Sequence, residues 1–266
     1  MYTTFVRPHL EYASVVWDGC TLYDIEKLEK VQLAAARTIT GLPIFVSREI
    51  LYSETGLEPL VTRRRTAKLT TMFKVHNNVV PDYLKQIFPK TRGIESTYNT
   101  RNTEDYSIPK CRLETFKKSF VPSAINTWNS LSKDVRDTTS ISKFKTRICS
   151  HPSKPPSYFS YGKRYLNITH TKLRHSSILN NDLYRRNIID SPNCSCGQIE
   201  DVYHFFFVCK KYERPRNCLL NNILQYNHLA IVNSHLLLFG NDSLSVDVNN
   251  KIFHCVQRFI RDSGRF

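Results

Sequence analysis

Thr21-Leu-Tyr-Asp-Ile-Glu-Lys-Leu-Glu-Lys-Val-Gln-Leu-Ala-Ala-Ala-Arg-Thr-Ile-Thr40 reads as the clearest helix of the chain. Ile25, Leu28, Gln32, Ala35 and Ile39 recur at helical spacing and are expected to face inward. Glu26, Lys27, Lys30 and Arg37 fall on the other side. Gly41 and Pro43 supply the stop, since one tolerates a left-handed backbone and the other cannot continue the amide ladder. Working outward, a second helix follows Glu58-Pro59 and runs roughly to Val75, with Leu60, Leu69, Met72 and Phe73 inward. Arg64, Arg65 and Lys68 are expected to share its exposed side, where they would grip phosphates or simply be solvated.

Beyond a polar, aperiodic stretch from Lys90 to Asp105, the segments Tyr106 to Leu113 and Thr115 to Phe120 alternate roughly, which predicts a short basic β-ribbon. Pro122 opens a helix through Trp128 and Leu131, and Ser140 starts another through Phe144 and Ile148. The composition shifts to Pro and Ser around Ser150-His-Pro-Ser-Lys-Pro-Pro-Ser157, a domain boundary. The expected fold is mainly α. It comprises a helical region with the ribbon over 1–150 and a basic C-terminal domain over 151–266, which carries a small helical Cys/His module at 194–209.

That module is the strongest local signal. Cys194-Ser-Cys196-Gly-Gln-Ile-Glu-Asp-Val-Tyr-His204-Phe-Phe-Phe-Val-Cys209 has the spacing Cys-x-Cys-x7-His-x4-Cys. Three thiolates and one imidazole suit a closed tetrahedral structural zinc site with no position for a catalytic water. Gly197 lets the backbone turn after the second cysteine. Glu200 and Asp201 suit the first turn of a helix that carries His204 and ends at Cys209. Cys218 is the second choice for the fourth ligand. The scattered Cys20, Cys111, Cys149 and Cys255 read as small buried apolar residues, and the eight cysteines together read as reduced thiols.

A net charge of +15 and a pI near 9.5 point to a polyanionic partner. Lys154, Lys163, Arg164, Lys172, Arg174, Arg185 and Arg186 fall in one stretch that holds a single acid, Asp182. Tyr158, Phe159, Tyr161 and Tyr165 interleave with it, a mixture that suits single-stranded RNA or DNA. No small-molecule substrate is indicated. Residues 2–17 are interrupted by Arg7, Pro8, His9 and Glu11, and the apolar run Leu229 to Gly240 is too short to span a bilayer. The expected location is therefore intracellular, nucleus or cytoplasm, without secretion or membrane anchoring. No adjacent Asp pair, phosphate loop or nucleophile elbow occurs, so no catalytic residue is assigned.

Phe5-Val-Arg-Pro-His-Leu-Glu-Tyr-Ala-Ser-Val-Val-Trp17, Asp24 to Gln32 with Ala34 to Arg37, Ile108 to Arg112, Phe116 to Phe120, Trp128 to Leu131 and the Cys194 to Cys209 module resemble the C-terminal region of reverse transcriptases from LINE-type, jockey-like non-LTR retrotransposons. The resemblance covers most of residues 1–218, and residues 219–266 are not distinctive. It implies a thumb-like segment, a C-terminal zinc module, and contacts to template RNA and target DNA. It also implies that the family's fingers and palm, with their Tyr/Phe-x-Asp-Asp motif, would lie upstream of Met1. The expectation is thus a non-catalytic nucleic-acid-binding fragment. A metal-dependent nuclease and a structural zinc protein that binds other proteins are the alternatives.

Overall fold

The computed structural model describes residues 1–95, 103–149, 162–226 and 231–266. They are mainly helical. Among them no strand forms, and only two isolated bridges occur, Thr91 with Tyr106 and Asn193 with Ile199. None of the described helices is long and apolar enough to cross a membrane. The chain divides into two compact units, Met1–Gln32 with Glu58–Ser153, and Leu33–Leu57 with Lys154–Phe266. Residues 33–57, which the sequence places with the first region, group with the C-terminal residues. The proposed division at 150/151 lies outside the described residues.

In the first unit, the helix α1 (Leu22–Thr40) begins, and α3 (Leu60–His76), α4 (Phe120–Asn129) and α5 (Ile141–Ile148) enclose an aromatic core. α2 (Arg48–Thr55) belongs to the second unit. Leu69, Met72, Phe73, Ile125, Trp128 and Phe144 are all buried, and the Phe73 and Phe144 rings stack with centroids 4.5 Å apart. Leu60, Leu69, Met72 and Phe73 point inward as their spacing requires. The buried face of α1 keeps Gln32 of the expected set, leaves Ile25, Leu28 and Ala35 half-buried, and otherwise differs. Glu29, Gln32, Leu33, Ala36 and Thr40 are buried, whereas Ile39 is exposed. The reason is polar. Pro59 offers no capping side chain to α3, and the Glu29 carboxylate accepts the Leu60 N–H at 3.1 Å instead. Gln32 donates to the Glu58 carbonyl at 2.9 Å and accepts from the Tyr2 hydroxyl at 2.8 Å. Satisfying orphan groups at a helix start outweighs burying Ile39.

The exposed basic side expected on α3 is also corrected. Arg65 is exposed, but Arg64 and Lys68 are buried and both pair with Asp18, at 2.9 and 2.5 Å. Neither contributes to an exposed basic face of the helix. The β-ribbon does not form either. Glu114–Lys118 is a helical turn, and Phe120 begins α4 with Pro122 in the first turn, where its missing N–H is an orphan in any case. The alternation does not mark a buried face, because Leu113 and Phe116 are exposed. Tyr106 finds its backbone partner in a side chain. Asn129 accepts its N–H at 3.1 Å and donates to its carbonyl at 3.0 Å, as a neighbouring strand would.

The second unit is built on α9 (Val246–Ser263), against which α6 (Arg164–Arg174), α7 (Glu213–Tyr226) and α8 (Ser234–Phe239) pack. Ile252, Phe253, Val256, Phe259 and Ile260 recur on one face and are all buried. Ser245 caps the start by accepting from Val248 N–H, and Gly264 takes the left-handed conformation at the end, φ +60°. Arg174, expected at the nucleic-acid surface, is buried here. It faces the Glu54 carboxylate at 3.2 Å and donates to the Leu238 carbonyl at 3.0 Å. His170 is likewise buried, with Nε2 3.0 Å from the Leu237 carbonyl, which fixes the proton on that nitrogen. Burial, with the Arg174 charge adding to it, pushes the imidazole pKa from 6.5 down to about 3.

Two stability measurements follow. Asp18→Asn leaves two buried cations without their counterion and is expected to lower the urea-unfolding free energy by about 3 kcal/mol. A loss below about 1 kcal/mol would contradict the assigned role. For His170, the unfolded chain takes up a proton below pH 6.5 that the folded chain refuses. Stability is therefore full above pH 6.5 and falls as the pH drops toward 3, with a contribution approaching about 1.4 kcal/mol per pH unit. His170→Gln is expected to show a shallower slope between pH 6 and 4, and equal slopes would refute the neutral buried imidazole.

Candidate metal centre

Three short local structures assemble the Cys/His cluster. The first is a knuckle. The Cys194 N–H donates to the Gln198 carbonyl at 2.7 Å and the Gly197 N–H to the Cys194 carbonyl at 2.8 Å, while Gly197 sits at φ +92°. A side chain there would be strained, so the glycine is what lets Cys194 and Cys196 present both sulfurs on one side. The second is the Asp201 carboxylate, which accepts the His204 N–H at 2.7 Å and starts the turn that carries the imidazole. The third is the turn itself. His204–Val208 is a π-helical turn, closed by the Cys209 N–H donating to the His204 carbonyl at 2.8 Å. Its i to i+5 hydrogen bond draws Cys209 back to His204, which is what a His-x4-Cys spacing needs.

All four donor atoms lie within 4.8 Å of one another. The Cys194 and Cys209 sulfurs stand 3.8 Å apart, and the Cys196 sulfur is 3.3 Å from His204 Nε2. A tetrahedral ion about 2.3 Å from each thiolate and about 2.0 Å from an imidazole nitrogen sets donor edges of roughly 3.5–3.8 Å. The cluster therefore fits a metal ion. It is not a disulfide, because all eight cysteines are free and an S–S bond spans only about 2.05 Å. With four protein donors around a tetrahedral ion, no position remains for a reacting water. The backbone N–H of Gln198 holds the Cys196 thiol below its ordinary range, whereas burial pushes Cys209 up to about 11. A bound cation reverses that cost by taking the place of the proton. Cys218 is exposed on α7 and is not a member of the cluster.

The surroundings hold features the sequence reading did not assign. Glu200, expected to favour a helix start, is fully buried. It accepts from Arg265 Nε at 2.7 Å and from the Asn180 N–H at 3.0 Å, which ties the end of the chain to the knuckle. Arg216 donates to the Phe206 carbonyl at 2.9 Å and to the Cys209 carbonyl, satisfying the groups that the π turn leaves open. Lys211 donates to the Ser195 hydroxyl at 2.6 Å. With Lys210 it places exposed positive charge beside the knuckle, a signal legible as the Lys-Lys pair directly after Cys209.

Among the basic residues assigned to nucleic acid, Lys163 and Arg164 are exposed at the start of α6, and Lys172 is half-buried in its last turn. Arg185 and Arg186 are exposed after the turn Asn180–Tyr184. Arg186 is partly engaged, since it donates to the Ser176 carbonyl at 2.9 Å and lies over the Phe45 ring at 4.4 Å. Arg164 donates to the Thr38 carbonyl at 2.6 Å. Lys154, Tyr158, Phe159 and Tyr161 lie outside the described residues; Tyr165 is exposed. Arg64, Lys68 and Arg174 are committed to internal ion pairs. No family model, no curated protein and no solved structure matches this chain.

The purified chain is expected to hold about one metal ion, because structural sites with this donor set are four-coordinate. Elemental analysis of Cys196→Ser should show most of it lost. Cys218→Ser should retain it, and full retention in Cys196→Ser would break the ligand assignment.

Proposed function

We propose that this chain is a non-catalytic, nucleic-acid-binding C-terminal region of a non-LTR retrotransposon reverse transcriptase, with structural zinc at Cys194, Cys196, His204 and Cys209. The observation that carries the reading is the gathering of these four donors within 4.8 Å of one another in a chain of net charge +15. Three soft donors and an imidazole favour zinc over harder dications. The zinc orders the knuckle and the π turn, and the exposed cations around them neutralise phosphates of RNA or DNA. The phosphate contacts fall to Lys163, Arg164, Lys172, Arg185, Arg186, Lys210 and Lys211 rather than to the buried Arg64, Lys68 and Arg174. The chain contains no adjacent Asp pair to hold two catalytic cations, in keeping with a role in binding. The reading carries with it an intracellular location.

Binding to single-stranded RNA is expected to weaken steeply with salt, by about 0.7 units of logarithmic slope per phosphate contact. Replacing Lys163, Lys172 and Arg185 together with Ala is expected to flatten that slope by about two units while leaving the unfolding midpoint unchanged. A folded triple variant with unaltered slope would refute this surface. Salt-independent wild-type binding would favour the structural, protein-binding alternative, and metal-dependent cleavage of DNA would favour the nuclease.

A further inference from the structure

In the first unit, Glu11, Ser14, Glu58, Arg64, Thr66 and Lys145 are among the residues that line a cleft of about 430 Å³. Its charges do not balance. Arg63 is held by Glu11, with Nη2 3.1 Å from the carboxylate, and lies 3.8 Å from Glu58. Glu11 also meets Arg7 at 4.0 Å. Asp18 is shared by two cations, since one oxygen takes Arg64 Nε at 2.9 Å and the other takes Lys68 Nζ at 2.5 Å. Counting the charged lining residues and their ion-pair partners gives five cations (Arg7, Arg63, Arg64, Lys68, Lys145) against three carboxylates (Glu11, Asp18, Glu58).

The geometry of Arg64 locates the deficit. Its side chain is 1% exposed, and only its Nε is paired. Both terminal nitrogens, Nη1 and Nη2, are buried without a hydrogen-bond partner among the described residues, and the guanidinium carbon lies 5.6 Å from the Trp17 ring centroid. No other described arginine has both terminal nitrogens in that state. A buried guanidinium left with open donors is costly unless an acceptor completes it. Unpaired but closed to solvent in this structure, the Nη1/Nη2 pair matches two oxygens of an oxyanion in the forked manner of arginine once the side chain turns to meet it. The same cleft offers the hydroxyls of Ser14 and Thr66 and the exposed amine of Lys145 for further oxygens. Donors beyond a flat fork suit a tetrahedral group better than a carboxylate.

We propose that this cleft is a phosphoryl-binding site, with Arg64 as its buried anchor and Lys145 as the cation at its mouth. The volume falls within the roughly 300–1,000 Å³ of small-ligand clefts, so the phosphoryl group can arrive as a phosphate ester as well as the free ion. The cations assigned to RNA belong to the second unit and are not among the residues of this site. It explains why the sequence has a row of basic residues on α3 although two of them are withdrawn from solvent.

The test is calorimetric titration of the full metal-loaded chain with inorganic phosphate and, separately, with a 5′-mononucleotide. One equivalent is expected to bind, with affinity reduced at least fivefold in Lys145→Ala and at least tenfold in Arg64→Gln. Should Arg64→Gln fail to fold, Ser14→Ala with Lys145→Ala decides the matter. Saturable binding weakened by both supports the site, whereas binding unchanged in both, or absent from the wild type, overturns it. Adding single-stranded RNA separates the sources. Displacement of phosphate by RNA assigns the site to backbone phosphate, and retention assigns it to a free ester. The titration does not depend on the RNA reading, whose own test is the salt slope set by Lys163, Lys172 and Arg185.

Discussion

The i to i+5 hydrogen bond that closes the π turn at His204 is the interaction on which the C-terminal unit most depends. An α-helical turn would bring Val208 beneath His204. The wider turn brings Cys209 there instead, with its amide donating to the His204 carbonyl at 2.8 Å. The same five residues carry Phe205 and Phe206 into the core, where both rings lie against Phe259 with centroids 5.1 and 5.3 Å apart. Ligand geometry and core packing are therefore set by one backbone conformation. A π turn is intrinsically less favourable than an α turn, and here two independent gains hold it in place, the donor cluster on one side and the aromatic contacts on the other. Arg216 completes it by donating to the Phe206 and Cys209 carbonyls.

Net charge is a poor guide to which cations lie at the surface. Arg64 and Lys68 share Asp18, Arg174 faces Glu54, and Arg265 closes on Glu200. In each case the cation is buried or half-buried and stands opposite a carboxylate distant in sequence. Such pairs contribute little net stability relative to apolar packing, but they are strongly destabilising when broken, so they fix register between segments. The cations that remain at the surface are fewer than the composition suggests. Lys27, Lys30, Arg65 and Arg258, for example, stay exposed on the outer faces of long helices.

Asn129 and Glu29 show how side chains substitute for regular structure in a small helical unit. The Asn129 amide gives Tyr106 both hydrogen bonds of a strand neighbour, and Glu29 caps a helix whose own N-cap is proline. Both are contacts between residues more than twenty positions apart. Neither changes hydrophobic periodicity, and so neither leaves a mark in it.

By itself the sequence determined the features that depend on local chemistry. Helices after Pro59 and Ser140 were legible because proline and serine act on the adjacent turn. The four metal donors were legible because their spacing is short and their residue types are rare in combination. Tertiary structure alone decided which face of α1 is buried, that Thr115–Phe120 is not a strand, and that Arg64, Lys68 and Arg174 are internal. It also decided that the last helix, Val246–Ser263, lies at the centre of the second unit. The physical reason is common to all of these. A polar or charged residue turns inward only when a distant segment supplies the complementary group, and that supply is a property of the folded chain rather than of any local stretch.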